Sequence, residues 1–327
     1  MRAIVTGGAG FIGSHIVELL LRVGYNVLSI DNLSNGQSDN VNIFLDNPNY
    51  SFLKLDLSKD FDDSCFKGVD YVFHAAALAD IVPSIERPID YHQANVTATV
   101  RVLGASNKHK VRKFVYSASS SCYGIPDVYP TNETCLINPQ YPYALTKYIG
   151  EQYAMFWHKL YKLPVVSLRY FNVFGTRGRT NNTYGAVFKV FLKQKLAGAP
   201  LTIIGDGTQK RDFVYVSDVA RANLLVASSK IDGEIINIGS GMPQTVNYLA
   251  HLIGGEVVYI PKRPGEPDTT HANITKAKRL LGWEPLITFK EGVKVMLDNI
   301  DYWKDAPLWT PESISEATKL WFKYFGK

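Results

Sequence analysis

Ala3-Ile4-Val5-Thr6-Gly7-Gly8-Ala9-Gly10-Phe11-Ile12-Gly13 opens the chain with an apolar run that breaks into glycines and resumes in helical spacing through Ile12, Ile16, Leu19 and Leu20. A strand that turns through glycines into a helix aims the helix N-terminus, with its outward N–H groups, at a pyrophosphate. Gly7 permits the tight turn, Gly10 lets the backbone approach phosphate, and Gly13 lets the helix pack on the strand; Phe11 and Ile12 stand in the same first turn. A second apolar run, Val27-Leu28-Ser29-Ile30, ends in Asp31. A carboxylate about 20 residues beyond such a turn is placed to bind an adenosine ribose hydroxyl. Glycine turns are common, so the weight rests on the order of strand, turn, helix, strand and acid.

At 327 residues the chain has room for one large domain or two interleaved ones with ample core. An apolar content of 46% and a charged content of 20% are ordinary for a globular protein. The net charge of +5 is scattered, with no basic run carrying interleaved aromatics, so nucleic acid is not implied. Cys65, Cys122 and Cys135 lack metal-ligand spacing, so free thiols in a reducing compartment and no metal are expected. The first strand begins at residue 2, leaving no room for a signal peptide, and no apolar stretch reaches the ~20 residues that span a membrane. The cytoplasm is the expected location, with no membrane partner.

Apolar runs predict strands at 2–6, 26–30, 51–55, 70–74, 113–117 and 164–169, and helical spacing predicts helices at 11–23, about 88–108 and about 142–161. That alternation predicts an α/β fold, a Rossmann-type doubly wound parallel sheet covered on both faces. After about residue 175 the loops turn Gly-, Pro- and Asn-rich and the elements shorten. The expected division is a dinucleotide-binding domain over 1–175, with 211–238 returning to it, and a smaller substrate lobe over most of 176–327. The cleft between them is the natural active site.

Tyr143 and Lys147 fall at the start of a helix, behind Pro142, and residues four apart share a helix face. A phenol titrates near 10, so work as a base at neutral pH requires lowering by ~3 units, roughly 4 kcal/mol of differential stabilisation. A nearby ammonium and a bound cationic nicotinamide both favour phenolate. Taken alone, such a pair is also a common surface arrangement. Ser119 lies in Tyr116-Ser117-Ala118-Ser119-Ser120-Ser121-Cys122-Tyr123-Gly124, at the C-terminal end of the strand 113–117, where open α/β sheets bind ligands. Its hydroxyl can bond the oxygen whose proton Tyr143 takes; an ordinary Ser-rich loop is the alternative.

With these three motifs in order, the chain resembles the extended short-chain dehydrogenase/reductase family, and within it the nucleotide-sugar 4-epimerases. The likeness runs through Thr6 to Gly13, Asp31-Asn32-Leu33, Asp56-Leu57, His74 to Ala77, Asn95-Val96, Ser119, Tyr143 to Lys147, Arg169 to Gly175, Gly205 to Phe213, Arg263 to Glu266 and Leu281 to Pro285. The resemblance implies that Asp31 and Asn32 hold the adenosine ribose, with Asp31 favouring NAD over NADP. It implies that Asp56 and Leu57 line the adenine pocket, and that Ala75, Ala76 and Ala77 line the pyrophosphate and nicotinamide ribose. Lys147 binds that ribose and Asn95 supports the polar network. Asn172, Ala186, Val187, Arg211, Arg263 and Glu266 resemble residues that bind a nucleoside diphosphate, for which arginine's planar fork is suited. Thr270 stands where relatives have a gate beside the sugar 2-substituent, and a small residue there admits both hexose and N-acetylhexosamine. Pro267-Asp268-Thr269 departs from the Val-Arg-His often found in epimerases.

Departures narrow the reaction. Related 4,6-dehydratases carry Asp-Glu after the position of Ser119, where this chain has Ser120 and Ser121, and decarboxylases usually carry Glu at the second position. Enzymes that epimerise C3 and C5 have Cys where this chain has Ser121, and Cys122 reads as a packed side chain. The resemblance thus implies an NAD-dependent isomerase acting at C4 of a nucleotide sugar, UDP-linked, with Ser119, Ser120, Ser121 and Tyr143 around the sugar. The alternatives are another nucleotide-sugar enzyme of the same family, acting on a uronic acid or deoxysugar or reducing a 4-keto sugar, and a non-enzymatic NAD-binding module. A homodimer is expected through helices near 88–108 and 142–161, whose apolar residues Val96, Val100, Leu103, Ile149, Tyr153 and Phe156 fit core packing equally well. The aromatic segment after about residue 300 reads as packing on the substrate lobe or a partner subunit, with carbohydrate stacking as the alternative.

Overall fold

A computed structural model describes residues 1–178, 180 and 185–326. Part of the Gly- and Asn-rich stretch between Gly175 and Gly185 therefore lies outside the described residues. The central sheet has seven parallel strands: β1 (Arg2–Thr6), β2 (Asn26–Asp31), β3 (Tyr50–Lys54), β4 (Tyr71–His74), β5 (Lys113–Ser119), β6 (Val165–Tyr170) and the edge strand Glu234–Ile238. Their spatial order runs from that edge strand through β6, β5, β4, β1 and β2 to β3. The order reverses between β4 and β1, which opens a crevice at the C-terminal strand ends. The doubly wound sheet is as expected, and β5 runs two residues further than its apolar run suggested, to Ser119.

Alternation along β1 shows why both faces are covered. Ala3 and Val5 enter one core with Ile16, Val17 and Leu20 of the first helix (Phe11–Arg22), and Ile4 enters the other with Val102 and Leu103. A third core, built from Phe174, Phe188, Phe191, Phe213, Trp303 and Trp321, lies beneath the later part of the chain.

The helix expected over 88–108 is instead Pro88–His92, a π-helical turn Gln93–Thr97, and Ala98–Lys108. The extra residue in that turn seats Asn95, which is fully buried, at the crossing with the helix Pro142–Tyr161. Proline occupies the first turn of the latter helix, where its missing N–H costs nothing.

That helix is bolted to the sheet by Glu151. Its carboxylate accepts from Arg169 Nη2 at 2.6 Å and Nε at 2.9 Å, and from Ser167 Oγ at 2.9 Å. Arg169 Nη1 donates to the Tyr123 hydroxyl at 2.8 Å, and that hydroxyl donates to Asn237 Oδ1 at 2.8 Å. Glu151 and Arg169 are both buried, and removing one partner strands the other's charge in a low-dielectric interior. Glu151→Ala is accordingly expected to lower unfolding stability by about 3–5 kcal/mol, read by urea denaturation. A loss below about 1 kcal/mol would show that the pair does not anchor the helix.

Candidate functional site

Parallel strands deliver their last residues to one edge, and here those are Thr6 of β1, Asp31 of β2, His74 of β4 and Ser119 of β5. Above them lies a cleft of about 670 Å³, a size that suits a small-molecule or coenzyme site. One wall is the glycine turn. Gly7 has φ of +70°, and a Cβ there would lie 2.6 Å from Ala76 N; a Cβ on Gly13 would lie 2.1 Å from Gly7 O. Only glycine lets turn, helix and the 75–77 loop pack this closely. No side chain caps the helix start at Gly10, so the helix presents backbone N–H groups to an anion.

Asp31 receives Ala9 N at 3.1 Å on one carboxylate oxygen and Leu33 N at 2.8 Å on the other. Burial raises its pKa, opposed by those N–H groups. Asp56 is oriented by Ser58, whose N and Oγ donate to Oδ1 at 3.0 and 2.7 Å. The glycine cradle and a buried carboxylate held for a ribose diol fit a dinucleotide.

Ser119 ends β5 and caps the short 3-10 turn Ser120–Tyr123 by accepting from Ser121 N at 3.2 Å, with Ser121 Oγ at 2.8 Å. Tyr143 stands in the first turn of the helix Pro142–Tyr161, its ring parallel to that of Tyr141 at 6.4 Å and edge-on to Tyr91 at 6.5 Å. Four residues on, Lys147 is buried with its ammonium 4.6 Å from the Tyr116 ring centroid. Desolvation lowers its pKa to about 7, while Glu151 pulls it upward. His74, sealed between the hydroxyls of Thr6 at 2.7 Å and Thr99 at 2.9 Å, is driven down to about 3 by burial and by Lys147, and stays neutral. Burial pushes the Cys122 thiol up to about 12, which keeps it protonated.

The far wall carries charge. Glu266 lies 3.1 Å from Arg263 Nε and 3.7 Å from Arg211 Nη2. Two guanidiniums sharing one carboxylate leave a positive surplus facing the cleft, apt for a diphosphate. Thr270 Oγ1 donates to Asn172 Oδ1 at 2.8 Å and accepts from Asp212 N at 2.9 Å, so its hydroxyl orients the Asn172 amide.

The cleft wall gathers Gly7, Gly10, Phe11, Ile12, Gly13, Asp31, Asn32, Asp56, Leu57, Ala75, Ala76 and Ala77 with Ser119, Ser120, Ser121 and Tyr143. Asn172, Ala186, Val187, Arg211, Arg263, Glu266 and Thr270 complete it. Two expected contacts stand behind the wall. Lys147 packs under it, and Asn95 spends its amide on protein: Oδ1 accepts from Leu78 N at 2.8 Å, and Nδ2 donates to Leu78 O and Thr146 Oγ1, both at 3.0 Å. The Asn95 amide thus clasps the loop after Ala77. Lys189 and Tyr141 also line the cleft and were not anticipated, and Trp303 and Trp321 of the aromatic C-terminal segment join them. A cation inside the apolar run Val187–Leu192 was the signal for Lys189; Tyr141 gave none.

Comparison with known proteins agrees with this geometry. Residues 3–239 match the model of the NAD dependent epimerase/dehydratase family. A putative UDP-glucose 4-epimerase of Methanocaldococcus jannaschii is 41% identical over 300 residues, which cover 89% of this chain and 95% of that protein. The crystal structure of a Thermotoga maritima UDP-glucose 4-epimerase with UDP-glucose superposes with a TM-score of 0.83 at 37% identity, covering 93% of this chain and 99% of its own. That of a Bacillus cereus UDP-glucuronic acid 4-epimerase with UDP-glucuronic acid and NAD does so at 0.86 and 32%, covering 92% and 99%. The chain belongs to the NAD dependent epimerase/dehydratase family.

The buried amine yields a signed prediction. Lys147 titrates near 10.5 when solvated and near 7 when buried, so the unfolded chain holds more protons between those values and stability rises with pH through that window. Lys147→Met removes a destabilising contribution that is complete below about pH 7 and gone above about pH 10.5. In coenzyme-free protein the variant is expected to gain on the order of a few kcal/mol at pH 6 and little at pH 10, by urea titration. A pH-independent difference would contradict the buried charge.

Proposed function

We propose that this protein is an NAD-dependent nucleotide-sugar 4-epimerase, interconverting UDP-glucose and UDP-galactose or the corresponding N-acetylhexosamine pair through a 4-keto sugar. The observation that carries this reading is one cleft that sets Ser119 and Tyr143 between a dinucleotide cradle and an arginine-rich anion wall. NAD, when bound, accepts a hydride from the sugar and returns it. Gly7 to Gly13 would hold its pyrophosphate, Asp31 and Asn32 its adenosine ribose, Asp56 and Leu57 its adenine, and Lys147 its second ribose. Tyr143 takes the proton from the sugar 4-OH while Ser119 bonds that oxygen. Tyr143 returns the proton once the opposite face of the 4-keto sugar has turned toward the coenzyme. Arg211, Arg263 and Asn172 hold the diphosphate throughout, so binding energy remote from C4 retains the intermediate. Ser120 and Ser121 supply no carboxylate for elimination, and the buried Cys122 supplies no thiolate.

Tyr143→Phe is expected to lower epimerisation about 10²–10⁴-fold while leaving UDP affinity within about three-fold. Near-normal turnover would remove Tyr143 from the mechanism. The reaction itself is read by NMR of the purified protein with UDP-, GDP-, CDP- and dTDP-sugars without added coenzyme. Exchange between axial and equatorial protons at C4 supports the proposal, loss of water or carbon dioxide overturns it, and exchange only in a uronic or deoxy sugar transfers it to that substrate.

We also propose a cytoplasmic homodimer built on the helix Pro142–Tyr161. No helix among the described residues is long and apolar enough to cross a membrane. Of the apolar residues considered for an interface, Val96 and Leu103 belong to the core, whereas Tyr153 is 39% and Phe156 51% exposed, with Leu160 exposed beside them. Phe156→Glu is expected to convert a dimer into a monomer in sedimentation at micromolar concentration. A parent already monomeric there would refute the interface.

A further inference from the structure

The reaction proposed above leaves the last two helices, Pro311–Ala317 and Lys319–Phe325, without a task. Two aromatic residues of the second, Trp321 and Phe325, meet the anion wall. Trp321 is 1% exposed, and its Nε1 donates to Pro264 O at 2.7 Å. The Arg263 guanidinium carbon lies 5.9 Å from the centre of its ring. Phe325 stacks on Trp321 at 4.8 Å, and a Cβ on Gly265, whose φ is +74°, would lie 3.2 Å from the Phe325 ring. Three consecutive residues, Arg263, Pro264 and Gly265, therefore rest on one helix through an indole face, an indole N–H and a phenyl ring.

That helix also packs with the helix Ile81–Glu86, whose Ile81 and Val82 line the same cleft. Trp321 also meets Tyr141 at 5.9 Å, and Tyr141 stacks on Tyr143.

We propose that Trp321 is a positioning residue for the substrate diphosphate: it holds the 263–266 loop and the Arg263 side chain in the conformation that receives the anion. The inference rests on the nucleoside-diphosphate reading above. A loop with proline and glycine beside its arginine has little secondary structure of its own to order it. Arginine loses several rotamers when it binds, and fixing them beforehand against an indole moves that cost from binding to folding. The cation–π contact and the Nε1 hydrogen bond supply the fixing. Because Trp321 acts through Arg263, the two residues must be energetically coupled.

The test uses the NAD-loaded protein and UDP as the probe, with affinity by calorimetry and steady-state rates on the substrate that the NMR panel identifies. Trp321→Phe, which keeps an aromatic face but replaces the indole and loses its N–H, is expected to weaken UDP binding about five-fold. Trp321→Ala is expected to weaken it about thirty-fold. In both, KM rises by a similar factor, kcat stays within about two-fold and the NAD content is unchanged. On an Arg263→Ala background the same substitutions should change UDP affinity less than about two-fold. Parent-like UDP affinity in the Trp321 variants, or a full effect persisting without Arg263, would overturn the proposal. If the alanine variant does not fold, the phenylalanine variant and its double-mutant cycle decide alone. Failure of the parent to bind UDP at all would overturn the nucleoside-diphosphate reading instead, a result separable from either.

Discussion

The bidentate pairing of Arg169 with Glu151 is the constraint on which the site depends. It ties the helix, one turn beyond Lys147, to β6, and through Tyr123 to the 3-10 turn that follows Ser119. Both polypeptide segments that carry the candidate chemistry are thus fixed to the same buried ion pair. Such a pair adds little net stability compared with apolar packing, but breaking it is costly, so it acts as a register pin. Its carboxylate also sits close enough to Lys147 to offset part of the desolvation of that amine. One buried charge therefore serves both placement and electrostatics.

A second constraint is the convergence of strand ends. Thr6, Asp31, His74 and Ser119 come from four strands far apart in sequence, and only parallel pairing in this order brings them to one edge. The neutral His74 between two threonine hydroxyls shows how polar residues at that edge are satisfied internally while the cleft stays open. Positive charge is held on the opposite wall, where Arg211 and Arg263 share Glu266, so coenzyme and anion requirements do not compete for one surface.

Much of this was legible in the residues because glycine turns, strand-terminal acids and a Tyr-Lys pair on one helix face are local patterns with local causes. The doubly wound sheet followed from the spacing of apolar runs, and nearly all candidate site residues share one cleft. What escaped were features set by packing between distant segments. A π-helical turn has the same composition as the helix around it, so the reading over 88–108 missed the insertion that buries Asn95. Lys147 is buried with its ammonium over the ring of Tyr116 on β5, a residue that no spacing rule connects to it. The aromatics after residue 300 were visible as a composition, but their contacts with Arg263 and Pro264 exist only once the chain has closed on itself.

The Asn95 clasp couples two parts of the site. Its amide joins Leu78 to Thr146, and the Thr146 hydroxyl donates in turn to the carbonyl of Tyr143 at 3.0 Å. The loop after Ala77 and the backbone of the candidate base are therefore joined by one chain of hydrogen bonds, and the wall that carries Arg263 meets the same base through Trp321 and Tyr141. In the proposed reaction the coenzyme-side loop and the base shift together or not at all, so loosening the clasp would degrade coenzyme grip and proton transfer in one stroke.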